Sequence, residues 1–163
     1  WIESALQPKT RPLPASAETA RKSLLALLQK TRRLAINLRF ETNSDTLDPK
    51  AFADLNRLVE FLRGPVAAGK TAYLVGFADT RGSFEYNLDL SVRRARTVAT
   101  VLSYFGVPIS RDQIIGASWL APVACETSEE GLYFNRRVEV WLSDATAASA
   151  FQRSTLGLGP ISN

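Results

Sequence analysis

The sequence predicts an α+β or α/β layered domain, with helices packed on a small sheet. Three observations point there. Apolar stripes at helical spacing alternate with short apolar runs of strand length, glycines and prolines fall at the junctions, and 45% of the 163 residues are apolar, enough for one ordinary core.

Residues 1–16 carry Pro8, Pro12 and Pro14 among polar neighbours and read as an extended lead-in. Ser16 can cap a helix, and over 17–34 the positions Ala20, Leu24, Leu27 and Leu28 make an amphipathic helix or connector, with Lys30, Arg32 and Arg33 near its negative end. Ile36, Leu38 and Phe40 alternate with Asn37 and Arg39, the period of a half-buried first strand that opens the globular part, 35–144. Asp48-Pro49 starts the next helix, whose stripe is Phe52, Leu55, Leu58, Val59 and Leu62, and Gly64-Pro65 stops it. Thr71 to Val75 is a buried second strand that turns at Gly76. A helix from about Tyr86 to Tyr104 buries Leu88, Val92, Ala95, Ala99 and Leu102 and closes at Gly106 and Pro108. Gln113 to Ser118 supplies a third strand. After a loop with Pro122, Glu126, Thr127 and Ser128, a fourth strand places Val138, Val140 and Leu142 against Arg137, Glu139 and Trp141. The small, polar stretch 145–163, with Gly157, Gly159 and Pro160, reads as a loosely held tail.

Composition narrows the chemistry. The chain has no His, which removes Ser/His and Cys/His catalysis and His-based metal sites, and its single Cys125 excludes an internal disulfide. No run of about 18 uncharged apolar residues is long enough to cross a bilayer as a helix. The charge of +4 is spread along the chain with acids interleaved, the pattern of a solvated surface and not of a nucleic-acid groove. Trp1 opens a chain without Met, so a longer protein with an upstream segment is expected.

The informative stretch is Gly76-Phe77-Ala78-Asp79-Thr80-Arg81-Gly82-Ser83 and the helix after it. Two glycines bracket a carboxylate at a strand end, where the backbone can turn sharply or approach a ligand. Asn87, Ser91 and Arg94 then fall along one helix face that can look towards Asp79. A carboxylate and a guanidinium held together suit an amino-acid head group, which carries an ammonium and a carboxylate on one centre. Spacing alone leaves open a plain structural ion pair between Asp79 and Arg94. It leaves Asn87 equally a helix-start residue or a ligand contact, and it gives Ser91 and Arg93 the character of surface or cap residues.

Four ordered motifs add to this. Phe40-Glu41-Thr42-Asn43-Ser44-Asp45-Thr46-Leu47, the Gly76 to Gly82 turn, Asn87-Leu88-Asp89-Leu90-Ser91-Val92-Arg93-Arg94-Ala95, and Glu130-Gly131 leading to Asn135-Arg136-Arg137-Val138-Glu139 closely resemble the OmpA-like peptidoglycan-binding family, over about Ile36 to Leu142. The resemblance implies a βαβαββ two-layer sandwich, here with an extra N-terminal helix. It implies non-covalent binding to the diaminopimelate of peptidoglycan stem peptides, with no catalytic residue, cofactor or metal. By the same resemblance Asp79 takes the ligand's ammonium and Arg94 its terminal carboxylate, Asn87 and Thr42-Asn43-Ser44 line or shape the pocket, and Asn135 and Arg136 contact the ligand or brace its loop. Phe77-Ala78 stand where the family usually has His-Thr, and Leu132 where it commonly has Arg, so the pocket's surroundings are expected to differ.

The implied setting is the periplasm of a Gram-negative bacterium, with the domain tying a larger envelope protein to the cell wall. An upstream envelope domain is expected, and homodimerisation is open. Two other classes compete: a glycan-cleaving enzyme using Asp79 with Glu85 or Asp89, and a structural module that has lost its ligand. Asp89 points away from the proposed face, which disfavours the first. Replacing Asp79 or Arg94 by Ala is expected nearly to abolish sacculus pull-down and to leave the fold intact.

Overall fold

The computed structural model describes residues 11–36 and 38–144. The lead-in before residue 11, Asn37 of the expected first strand, and the expected tail at 145–163 lie outside the described residues. Among the described residues four α-helices run through Glu18–Leu28 (α1), Phe52–Arg63 (α2), Phe84–Tyr104 (α3) and Glu129–Asn135 (α4). The strands are Arg32–Arg33 (β1), Leu38–Arg39 (β2), Lys70–Gly76 (β3), Ile114–Gly116 (β4) and Arg137–Asp144 (β5). They form one mixed sheet in the order β1-β5-β3-β4, with β2 also paired to β5.

Strand β5 organises the sheet. It runs antiparallel to β3 through seven residue pairs, from Lys70↔Asp144 to Gly76↔Val138, and antiparallel to β1 and β2 on its other edge. Strand β4 lies parallel to β3, which α3 makes possible as the crossover between them. Successive strand residues point to opposite faces, and both faces of β3 are buried, which is why Ala72 to Val75 reads as an unbroken apolar run. Ala72 and Leu74 join Val138, Val140 and Leu142 against α2 and α3. Tyr73 and Val75 join Phe77, Ile115 and Trp119 against Ala20, Leu24, Leu27 and Leu28 of α1. The expected two-layer α+β sandwich is therefore present, and the extra N-terminal helix covers the free face of the sheet as a third layer.

Several local expectations change. Helix α1 begins at Glu18 with no side-chain cap from Ser16, and it ends at Leu28. Arg32 and Arg33, expected at the helix end, instead pair with Leu142 and Trp141, because the open edge of β5 offers the backbone hydrogen bonds that a frayed helix end lacks. The first strand contracts to Leu38–Arg39, followed by a bridge from Phe40 to Leu47. Asp48 caps the next turn as expected, its Oδ1 accepting from the Lys50 amide at 2.9 Å. Phe52, expected in the stripe of α2, is 52% exposed, and Leu88 is only half-buried, whereas Leu90, not expected inside, is buried on the cleft side of α3. Helix α4 was not expected between β4 and β5: with seven residues it is too short to show a stripe, and its local signal is Ser128, whose hydroxyl accepts from the Gly131 amide. At the start of the described chain, Arg11 donates to the Gly82 carbonyl at 2.8 Å and lies over the Trp119 ring.

Candidate functional site

A cleft of about 520 Å³ opens at the carboxyl end of β3. Its walls are Thr42 and Asn43 from the loop after β2, Asp79, Arg81 and Gly82 from the loop after β3, and Tyr86, Asn87, Leu90 and Arg94 from α3. Close backbone packing fixes these parts together. A Cβ on Gly76 would lie 1.9 Å from the Ser91 carbonyl oxygen, so only glycine lets the end of β3 meet α3. Gly82 has φ +94°, the left-handed region that suits glycine, and turns the chain back into the Ser83 cap of α3. Asn43 also adopts positive φ, which asparagine tolerates better than most residues, and its side chain meets the Tyr86 hydroxyl.

Arg94 is fully buried. Its Nε donates to the Ser44 carbonyl at 2.9 Å, Nη1 to Phe77 at 3.1 Å and Nη2 to Glu41 at 3.1 Å, and the guanidinium lies 5.5 Å from the centre of the Phe40 ring. Three of its five N–H groups are thus committed to carbonyls, which leaves two. Among the described residues no carboxylate comes within ion-pair distance of it. Burial pulls its pKa down to about 10, which still leaves it a cation at neutral pH. The simple Asp79–Arg94 ion pair that spacing left open does not form; the two residues face one cleft without touching.

Asp79 is also buried, but it is saturated. Its Oδ2 accepts from Arg136 Nη1 at 3.2 Å and Arg81 Nη2 at 3.0 Å, and its Oδ1 from the Arg81 amide at 3.0 Å and Arg81 Nε at 3.3 Å. Burial pushes this carboxyl group upward, and the hydrogen bonds from Arg81 and Arg136 outweigh it, so the net shift is below the usual carboxylate range. Arg136 is 3% exposed and is itself held by the Phe40 carbonyl and Glu129.

The remaining expected residues divide into lining and bracing groups. Thr42, Asn43 and Asn87 line the cleft, and Asn87 Nδ2 also ties the Arg81 carbonyl at 2.6 Å and the Ser83 carbonyl at 3.1 Å. Ser44 offers its backbone carbonyl to Arg94, while its hydroxyl accepts from the Thr46 amide. Asn135 is a brace: it accepts from the amides of Val123 and Ala124 and donates to the Ala124 carbonyl and to Glu126. Ser91 is not a surface residue; its hydroxyl sits between the Leu88 carbonyl and the Ser118 amide, fully buried. Phe77 does not reshape the pocket with its ring, which turns into the α1 side of the sheet under Arg137, 3.9 Å away; only its carbonyl faces Arg94.

Arg81, Glu126, Glu129 and Ser118 escaped sequence reasoning. Glu126 accepts from the Thr80 amide and meets the Thr80 hydroxyl, and Glu129 links Arg81 and Arg136. Ser118, at φ +45°, accepts the Ala78 amide on its carbonyl and so fixes the loop next to Asp79. The signal for Arg81 was its place between Asp79 and Gly82. Nothing local marked the others, which reach the site from loops and from the start of α4, more than 30 residues away.

The fold and cleft define a class: an α+β domain whose mixed sheet carries a loop-and-helix cleft with buried charges of both signs. The chain belongs to the OmpA family, whose profile matches residues 39–136. A probable lipoprotein of Escherichia coli, YiaD, is 35% identical over 108 residues, covering 66% of this chain and 48% of that protein. The peptidoglycan-associated lipoprotein of Pseudomonas aeruginosa is 35% identical over 101 residues, covering 62% of this chain and 58% of that one. The chain spans about half the length of these curated relatives. Among solved structures, the peptidoglycan-associated lipoprotein of Burkholderia pseudomallei matches with a TM-score of 0.56 and 26% identity, covering 66% of this chain and 90% of that one. The C-terminal domain of Helicobacter pylori MotB matches with a TM-score of 0.54 and 27% identity, covering 76% and 98%.

Proposed function

We propose that this chain binds peptidoglycan without covalent chemistry, reading the diaminopimelate of uncrosslinked stem peptides and so tying a larger envelope protein to the cell wall. The observation that carries this is Arg94, a buried guanidinium with two N–H groups uncommitted and no carboxylate partner among the described residues, on the wall of a cleft that Asp79 also lines. A ligand carboxylate supplies the missing counter-charge, and its neighbouring ammonium finds Asp79. Thr42, Asn43 and Asn87 line the binding site, while Ser44, Asn135 and Arg136 hold its walls. Residues 35–144 form the binding unit, with the segment 17–34, which carries α1 and β1, as its cover and connector. Relatives named peptidoglycan-associated lipoprotein and, in Mycobacterium bovis, a peptidoglycan-binding protein 33% identical over 101 residues support the reading. Relatives named as lipoproteins and porins of Gram-negative bacteria support a periplasmic setting. No described helix is long and apolar enough to cross a membrane.

The carboxylates argue for binding and against glycan cleavage. A general acid for that reaction needs a raised pKa, whereas Asp79 is held low by its arginines, and Asp89 is engaged with Arg93 at 2.9 Å on the exposed side of α3. Co-sedimentation with purified sacculi tests the proposal. The chain should pellet with diaminopimelate-type sacculi and much less with sacculi that carry lysine in its place, and it should release no muropeptides. Asp79→Asn removes the negative partner of a buried contact and should weaken pelleting by about 2 to 5 kcal/mol in binding free energy. Equal pelleting of wild type and Asp79→Asn would refute the site.

A further inference from the structure

We infer that Arg81 determines the specificity of the cleft: its guanidinium occupies the Asp79 carboxylate where a ligand's ammonium would sit, so a ligand bearing an ammonium enters by exchange. This rests on the cleft being the binding site proposed above and goes beyond it by assigning a role to a residue outside that site's charge pair.

Two arginines hold Asp79, and they differ in how firmly they are fixed. Arg136 is buried, with a side chain 3% exposed, and is bound on three sides by Asp79, Glu129 and the Phe40 carbonyl. Arg81 is 47% exposed at its side chain and grips Asp79 at two points, Nη2 to Oδ2 at 3.0 Å and Nε to Oδ1 at 3.3 Å. Its other contact, to Glu129, is long at 3.5 Å. Its backbone does not depend on that side chain: the Arg81 carbonyl is held by Asn87 and its amide by Asp79 Oδ1. The side chain can leave towards solvent and Glu129, itself 64% exposed, while the loop stays in place.

The exchange sets what the cleft prefers. With Arg81 docked, Asp79 is neutralised and Arg94 is the charge on offer, so the cleft favours a ligand that brings only carboxylates. With Arg81 displaced, the cleft presents both signs and favours an ammonium beside a carboxylate. Arg81 therefore opposes the zwitterionic ligand and assists the plain anion.

Diaminopimelate and pimelate, the same chain with and without its two amino groups, separate these effects. Titration calorimetry on the whole chain would compare wild type, Arg81→Gln, Arg81→Lys and Asp79→Asn. Arg81→Gln should bind diaminopimelate about three- to fivefold tighter, the range set by releasing a half-exposed ion pair, and pimelate more weakly. Arg81→Lys, which keeps the charge but not the two-point grip, should fall between wild type and Arg81→Gln. Asp79→Asn should lose the preference for diaminopimelate. A wild type that binds diaminopimelate while Arg81→Gln binds it no tighter overturns this inference alone. If wild type, Arg81→Gln and Asp79→Asn all fail to distinguish the two ligands, the proposed function falls together with it.

Discussion

Replacing Arg94 by Ala should damage the fold, not only the cleft, and the size of the damage follows from its contacts. The side chain ties two loops together through three carbonyls: those of Glu41 and Ser44 after β2, and that of Phe77 after β3. Hydrogen bonds from a charged donor contribute roughly 1.5 to 3 kcal/mol each, and two of these three acceptors are only part-buried, so water can replace the lost donor there. Removing the cation also removes its own desolvation cost, which burial makes substantial here. A net loss of about 3 to 5 kcal/mol results, against the 5 to 15 kcal/mol of a typical domain. Urea unfolding followed by tryptophan fluorescence reads this directly, and the midpoint should fall by about 1 to 3 M at an ordinary slope. A midpoint within about 0.3 M of wild type would refute the carbonyl clamp and return Arg94 to a purely ligand-binding role. The expectation that this variant keeps its fold therefore gives way, and Asp79→Asn is the cleaner probe of the cleft.

Asp79 has a pKa below its unfolded value, so its ionised form stabilises the fold above about pH 4 and that contribution is lost as the pH falls through the folded value; Asp79→Asn should flatten the acid limb of a stability-against-pH curve, and an unchanged limb would contradict the pairing with Arg81 and Arg136. Phe77→His puts a smaller, polar ring under α1 and beside Arg137, so it should cost about 1 to 3 kcal/mol in thermal unfolding and leave sacculus pelleting near wild type. Asn135→Ala removes four hydrogen bonds that fold the 123–126 loop and should make that loop the first site of limited proteolysis, with the Glu126 contact to Thr80 weakened in turn. Gly76→Ala should yield no soluble folded protein, since its methyl carbon would overlap the Ser91 carbonyl; recovery of a native circular-dichroism spectrum would count against that close packing.

The parts of the fold that were legible in sequence are those whose signal is local. Asp48-Pro49 marked a helix start because both residues act within one turn, and the alternation in 138–142 marked a strand because the two faces meet different surroundings. What was illegible depends on partners far along the chain. Arg32-Arg33 looks like a helix end until the edge of β5 is in place, and Ser91 looks like a surface residue until Gly76 and Gly116 bring the sheet against it. The candidate site shows the same division. Asp79 and Arg94 stood out by their spacing and motifs, but only the folded chain separates them, assigns Arg94 to three carbonyls, and brings Arg136 and Arg81 to Asp79.

The contact between Arg11 and the Gly82 carbonyl bears on how the molecule carries load. Pulling on the chain before residue 11 applies force at the Gly82 loop, the same end of the molecule as the cleft. If the cleft is held by the wall, as proposed, the line of tension runs through Arg11, Trp119 and the 79–82 loop and bypasses the seven pairs of β3 and β5. The sheet is spared, and the first link to give way is one exposed hydrogen bond beside an aromatic ring. Such a junction acts as a mechanical fuse: breaking it frees the Gly82 loop from the start of the described chain without disturbing the pairing of β3 with β5.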